Sequence, residues 1–95
     1  MNQVINKELL LENFNHIPEI FGAQDINLKQ IEKKFRVRIT TRENQIKIKG
    51  DASSINAVDI LLTQLEDLAL SGHALKNDDI KFAIRLIAEN KSINL

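Results

Sequence analysis

Groups that could bind phosphate are concentrated around one glycine-led loop, residues 22–25. A predicted helix follows this loop, and the free backbone N–H groups at a helix N-terminus can accept an anion. Lys29 lies in the first turn of that helix, and Lys33 lies one turn later on the same face. Backbone N–H groups of Gly22 and Ala23, together with these two ammonium groups, are therefore predicted to bind phosphate.

The chain has no net charge, but its charges are unevenly distributed. Residues 29–49 carry eight basic groups against two acids, a balance of +6, whereas residues 1–28 and residues 50–95 carry −3 each. A localised positive face is typical of a surface that binds a polyanion. The same charges also fit a solvated strand and helix surface without a ligand, so the fold has to decide between the two interpretations.

The sequence offers little chemistry for catalysis or metal binding. It has no cysteine, so neither a thiolate nucleophile nor a thiolate metal site can form. His16 and His73 lie far apart, in predicted loops or helix edges. Asp78 and Asp79 fall in the first turn of a predicted helix, where acids stabilise the helix dipole. We expect no catalytic residue, no metal site and no cofactor in this chain, and expect that it is not an enzyme.

Length and hydropathy indicate a single domain in the cytoplasm. The chain has 95 residues, which fits one domain of about 50–250 residues. No apolar run approaches the roughly 20 residues that span a bilayer, and the N-terminus lacks the basic and apolar regions of a secretory signal. We expect a cytoplasmic protein without membrane contact, with a core over residues 7–88 and a frayed tail over residues 89–95.

Three strands are predicted, at residues 7–14, 36–41 and 45–49. The second and third alternate strictly between apolar and polar residues, as half-buried strands do. Their inward positions are Val37, Ile39, Ile46 and Ile48. Residues 42–44 between them predict a tight hairpin in which Asn44 takes the positive φ.

Two short helices are predicted between the first two strands. One covers residues 16–21 and stops at Gly22, because glycine adopts positive φ without strain. The other covers residues 28–35, with Asn27 as its N-cap and Gln30 at the capping-box spacing.

Two further helices are predicted after the hairpin. The first is capped by Asp51 or Ser53 and ends before Gly72. The last begins near residue 77 and is apolar on two sides over residues 80–87, so that one side faces the core and the other is left for a partner.

This order of elements resembles a type I K homology (KH) domain with one extra C-terminal helix, an α+β fold in which helices cover one face of a three-stranded sheet. A closer resemblance is to the N-terminal KH-like domain of PhoH-like proteins, a family of phosphate starvation-inducible ATPases. Three stretches carry this resemblance, in the order FGAQDINLKQIEKKFRVRI, TRENQIKIKG and SGHALKNDDIKFAIRL. It covers residues 7–88.

The resemblance implies a binding site for single-stranded RNA or DNA. In KH domains a GxxG loop between two helices grips the nucleic-acid backbone, and residues 22–25 stand at the matching place. The implied contacts are Gly22, Ala23, Gln24, Asn27, Lys29, Lys33, Arg36, Arg38 and Arg42. Arg36 and Arg38 are expected on the open sheet face, where they mainly add a long-range field. Asp25 replaces the second glycine of the loop, and we predict that it caps the second helix together with Asn27.

The resemblance also leaves two functions open. PhoH-like proteins carry a P-loop ATPase domain after this region, and ATP and Mg²⁺ would bind there; this sequence has no G-x-x-x-x-G-K-[ST] motif. In one interpretation, the chain presents single-stranded nucleic acid to an attached or separate PhoH-type ATPase domain acting in RNA metabolism. In the other, it is a docking module whose last helix binds that domain or a second copy of the chain in a homo-oligomer.

Overall fold

A computed structural model describes residues 7–93 of the chain, with side chains described for residues 7–90. The elements are β1 Lys7–Leu11, α1 Ile17–Phe21, a 3₁₀ turn Ala23–Asp25, α2 Ile26–Phe35, β2 Arg38–Arg42, β3 Gln45–Gly50, α3 Ala52–Leu70 and α4 Asn77–Ile93. The predicted α+β class and the predicted order of elements are confirmed.

The three strands form one antiparallel sheet in the order β1-β3-β2. Leu9 is opposite Ile48 on β3, and Ile48 is opposite Ile39 on β2. This row faces the helices, because Ile39 and Ile48 are buried and Leu9 packs against the same core. Helices therefore cover one face of the sheet, as predicted, and the architecture is consistent with a KH-like fold.

The core lies between that inner face and the four helices. Its apolar members come from every helix and from strands β2 and β3, and three of the four phenylalanines belong to it. The fully buried side chains include Ile20, Phe21, Ile31, Ile46, Ile48, Val58, Leu61, Leu62 and Ile80. The predicted second apolar side of α4 is also present, since Phe82 is 60% exposed and Leu86 is 46% exposed.

The two ends of α3 follow local rules of helix capping. The Asp51 side chain accepts a hydrogen bond from the Ser54 N–H at 2.7 Å, which satisfies one of the free donors of the first turn. At the other end, the His73 N–H donates to the Leu68 carbonyl and the Gly72 N–H donates to the Ala69 carbonyl. This is a Schellman motif, with Gly72 at φ 89°.

Several boundaries and one turn differ from the predictions. Strand β2 covers Arg38–Arg42 rather than residues 36–41, and α1 and β3 each differ by one residue at one end. Strand β1 ends at Leu11 rather than at residue 14, because Asn13 turns the chain at φ 66° and the Phe14 N–H donates to the Asn44 carbonyl instead. In the β2–β3 hairpin the positive φ falls on Glu43, at 56°, and not on Asn44 as predicted.

The other differences concern helices. Helix α2 begins at Ile26, two residues before the predicted start. Helix α4 continues to Ile93, so the tail predicted to fray from residue 89 is helical over residues 89–93. The last two residues of that predicted tail lie outside the described part of the chain, as do residues 1–6 of the predicted single domain.

Candidate nucleic-acid interface

The bend between α1 and α2 has an unusual backbone. Gly22 has φ 79° and ψ 175°, a region that only glycine adopts readily. Gln24 and Asp25 then both take the left-handed conformation, at φ 56° and 57°. Ala23, Gln24 and Asp25 are exposed. The bend is therefore not covered by other parts of the described structure. The Gly22 N–H, which was predicted to bind phosphate, already donates to the Pro18 carbonyl at 2.8 Å, and the Asp25 N–H donates to the Gly22 carbonyl at 3.1 Å.

Asn27 does not have the role that the sequence predicted. It lies inside α2, its residue is 0% exposed, and it is not the N-cap. Its Nδ2 donates to the Ile20 carbonyl at 3.2 Å and to the Asn77 Oδ1 at 3.4 Å. The side chain thus joins α1, α2 and the start of α4 inside the protein, and both predictions for it, as a helix cap and as a contact with nucleic acid, are wrong.

The Asn27 amide also explains why position 22 is glycine. A Cβ built on Gly22 would lie 2.7 Å from the Asn27 Nδ2 and 3.2 Å from the Ile26 Cγ2. Any larger residue would have to displace the amide that ties the three helices together. The glycine is needed for this close approach as well as for its backbone conformation.

Asp25 occupies the N-cap position of α2 but does not cap it through its side chain. An N-cap residue normally has an extended backbone that brings its side chain onto the free N–H groups, whereas Asp25 is left-handed at φ 57° and makes no side-chain cap hydrogen bond. The predicted capping role of the Asp25 carboxylate is therefore wrong. Its charge is exposed on the loop, near the positive end of the α2 dipole.

Helix α2 separates its apolar and basic residues. Ile31 and Phe35 are buried, while Lys29, Lys33 and Lys34 are exposed. The helix ends at Arg36, which is exposed and left-handed at φ 57°. The amphipathic pattern therefore directs the predicted contacts Lys29 and Lys33 to the surface.

A groove between α2 and α4 is lined mainly by basic residues. It has a volume of about 510 Å³ and is lined by Gln30, Lys33, Lys34, Arg36, Lys81, Ile84 and Arg85. Five of these seven residues are basic and none is acidic. Lys33 and Arg36 were predicted as contacts, whereas Lys34, Lys81 and Arg85 were not. The i, i+4 spacing of Lys81 and Arg85 was visible in the sequence, but no sequence signal indicated that α4 packs beside α2.

The cleft between α2 and β2 contains an acidic side chain. There the Glu32 Oε2 accepts a hydrogen bond from the backbone N–H of Ile39 at 2.8 Å. Strand β2 is an edge of the sheet, so this carboxylate satisfies a backbone group on the free edge. The KH resemblance implies a binding groove between the second helix and the adjacent strand, and this cleft contains a carboxylate that the sequence did not identify.

The remaining predicted contacts lie elsewhere. Arg38 lines a second groove, of about 520 Å³, together with Arg36, Val37, Lys49 and Gly50. Arg42 lines a separate depression of about 370 Å³ on the outer sheet face, beside Leu10 and Lys47. The structure thus brings Lys33, Arg36 and Arg38 into neighbouring grooves but brings neither Lys29 nor Arg42 into them.

Two ion pairs with Glu8 neutralise part of the positive charge on the outer sheet face. Lys47 lies 3.6 Å and Lys49 lies 3.7 Å from the Glu8 carboxylate, and all three side chains are about half exposed. Within residues 7–90, no other lysine or arginine forms an ion pair.

Over the same residues, no group of three or more His, Asp or Glu side chains could hold a metal ion. Between residues 7 and 93, no helix is both long enough and apolar enough to cross a bilayer.

Comparison with known proteins finds a relative for most of the chain. Over 81 residues, 85% of its length, the chain is 33% identical to a PhoH-like protein of Bacillus subtilis (strain 168). The matched region is 25% of that protein, so the chain spans about a quarter of the length of this relative. No protein-family model matches the chain, and no solved structure matches it.

Proposed function

We propose that this chain binds single-stranded nucleic acid, mainly through the phosphate backbone. The proposal rests on the exposure and the lack of ion pairing of most basic groups in residues 29–49. Six of these eight groups are exposed and have no ion-pair partner within residues 7–90; they are Lys29, Lys33, Lys34, Arg36, Arg38 and Arg42. Cations left free on one stretch of a protein without net charge suit a polyanionic ligand better than a purely structural role.

The aromatic residues support backbone binding over base stacking. The chain has no Trp or Tyr, and Phe14, Phe21 and Phe35 are buried in the core. Phe82 is the one exposed phenylalanine, and it lines neither of the two basic grooves. Modules that bind single strands by stacking need exposed aromatic side chains. We therefore propose weak binding with little preference for base sequence.

A salt titration tests this proposal. With a fluorescent single-stranded oligonucleotide and the whole chain, each phosphate contact should contribute about 0.7 to the slope of log affinity against log salt. Four contacts would then weaken binding about 50-fold for a fourfold rise in salt concentration. A chain that shows no binding at low salt, or binding that does not respond to salt, would contradict the proposal.

The Lys29→Glu/Lys33→Glu variant tests the residues around the loop. It should bind more weakly than a Lys7→Glu/Lys76→Glu variant, which changes the charge equally but at exposed positions outside α2. Equal weakening in the two variants would show that only the overall charge matters, and would remove Lys29 and Lys33 from the site.

The relationship to a PhoH-like protein suggests where such binding would be used. We propose that in the longer protein this region presents a single strand to a PhoH-type ATPase domain acting in RNA metabolism, and that ATP and Mg²⁺ bind to that domain. The similarity over 85% of the chain supports this placement.

A docking role is the second candidate, and the outer side of α4 favours it. Phe82 and Leu86 lie one turn apart and are 60% and 46% exposed, and large exposed apolar side chains are common at contact surfaces. The partner would be the ATPase domain or a second copy of the chain. Sedimentation at increasing concentration tests the second copy: a monomer throughout excludes it, and self-association that Phe82→Ser/Leu86→Ser abolishes supports it.

A further inference from the structure

Building on the proposed function, we infer that the bound strand lies in the groove between α2 and α4, and that the last helix supplies one wall of the binding site. The α2 wall presents Lys33 and Lys34, and the α4 wall presents Lys81 and Arg85. Arg36, the residue that follows α2, also lines the groove. A strand in this groove would contact cations from two helices that are far apart in sequence.

The lining of the groove matches a phosphate backbone. All five cations are exposed, and none forms an ion pair with another residue among residues 7–90. Ile84, which is only 5% exposed, lines the same groove. Gln30 adds a neutral amide that can donate or accept a hydrogen bond. The groove therefore combines free cations with one apolar and one amide group, without an acid to repel phosphate.

The alternative path along α2 and β2 is less suitable. The Glu32 carboxylate lies there, held at 2.8 Å from the Ile39 N–H, and the Asp25 carboxylate is exposed on the loop at the start of the same helix. Both acids would repel a phosphate, and the repulsion increases where the ligand displaces water. The path along α2 and β2 thus has two acids, whereas the groove between α2 and α4 has five basic residues and no acid.

The basic surface continues beyond the first groove. Arg36 also lines the second groove, together with Arg38 and with Lys49, whose charge is partly neutralised by Glu8. Two adjoining grooves that share an arginine suit an extended ligand with a charge on every unit, as in a nucleic-acid strand. Arg36, Arg38 and Arg85 add guanidinium groups, which bind phosphate oxygens in pairs. These features favour a nucleic acid over a short acidic peptide.

The test compares two variants of the whole chain that each lose two positive charges. Lys81→Gln/Arg85→Gln changes the α4 wall, whereas Lys7→Gln/Lys76→Gln changes exposed lysines outside the grooves. Loss of two contacts should lower the salt slope by about 1.4 and weaken binding of a single-stranded oligonucleotide about 25-fold at 0.1 M salt. The control should keep the slope of the parent. Circular dichroism checks that both variants remain folded.

The outcomes separate this inference from the proposed function. If the parent binds and the two variants weaken binding equally, or the α4 variant binds like the parent, the groove is not the site although the chain still binds nucleic acid. If the parent does not bind at all, both proposals fail. A polyglutamate peptide is the second probe: if it displaces the oligonucleotide at equal charge concentration, the groove is a docking site for acidic protein segments and the inference is overturned.

Discussion

Gly22 and Asn27 act as a pair that shapes the loop between α1 and α2. The glycine provides the backbone conformation at φ 79°, and its missing side chain leaves room for the Asn27 amide. That amide then donates to the Ile20 carbonyl at the end of α1. The angle between α1 and α2 thus depends on two residues that are both needed for one contact.

Replacing Gly22 with alanine should lower the free energy of unfolding by about 3 kcal/mol, because backbone strain and a steric clash add together. The clash arises from the 2.7 Å approach of the new Cβ to the Asn27 Nδ2. Gly72→Ala is the matched control: it has a similar φ of 89° but nothing within 4 Å of the added Cβ. It should cost about 1 kcal/mol from strain alone. Urea denaturation measures both, and equal losses would show that the contact with Asn27 does not matter.

The sequence predicts part of this arrangement and misses part of it. A glycine after a short helical segment indicates a chain reversal, and Gly22 indeed ends α1. Asn27 has the residue type and spacing of an N-cap, and those local features are the same for an exposed cap and a buried amide. Its real role depends on α4 lying against it through Asn77, which is information that local sequence does not contain.

At the scale of elements, a buried carboxylate on α3 fixes the start of α1. The Glu66 side chain is only 7% exposed and accepts hydrogen bonds from the backbone N–H groups of Asn15 at 2.9 Å and His16 at 3.2 Å. The His16 Nδ1 lies 3.2 Å from the same carboxylate. Glu66 thereby satisfies donors just before a helix whose N-cap residue makes no side-chain cap hydrogen bond.

Glu66→Ala should lower the free energy of unfolding by about 2–3 kcal/mol, because it leaves two backbone donors without their charged acceptor. Asp67→Ala, at the next position of α3 and exposed, should change it by less than about 0.5 kcal/mol. Thermal or urea unfolding of the two variants makes the comparison. If Glu66→Ala were no more costly than Asp67→Ala, the carboxylate would not be what holds the start of α1.

Elements with strong periodicity are predictable here, and their packing partners are not. The β2–β3 hairpin follows from strict alternation, and the two-sided apolar pattern of α4 correctly indicates an exposed side containing Phe82. The contribution of Lys81 and Arg85 to a groove depends on α4 packing beside α2. Contacts between residues about 50 positions apart along the chain leave no periodic signal, so this part of the candidate site appears only in the structure.

At the scale of the whole molecule, the distribution of charge matters more than its total. The net charge is zero, yet the two grooves that share Arg36 are lined by basic, neutral polar and apolar residues and by no acid. Glu8 lines neither groove, but it pairs with Lys49, which lines the second groove, and with Lys47 on the outer sheet face. Among the described residues, no acid pairs with a basic group that lines the first groove. A polyanion should therefore approach the molecule from the side of α2 and α4 and not from the outer face of the sheet.

A map of backbone amide chemical shifts during titration with a single-stranded oligonucleotide tests this account most directly. The largest changes should fall in the second half of α2, at Lys33 to Arg36, and in the first half of α4, at Lys81 to Arg85. Changes centred on Glu8 and the outer sheet face, or no changes at saturating oligonucleotide, would contradict it.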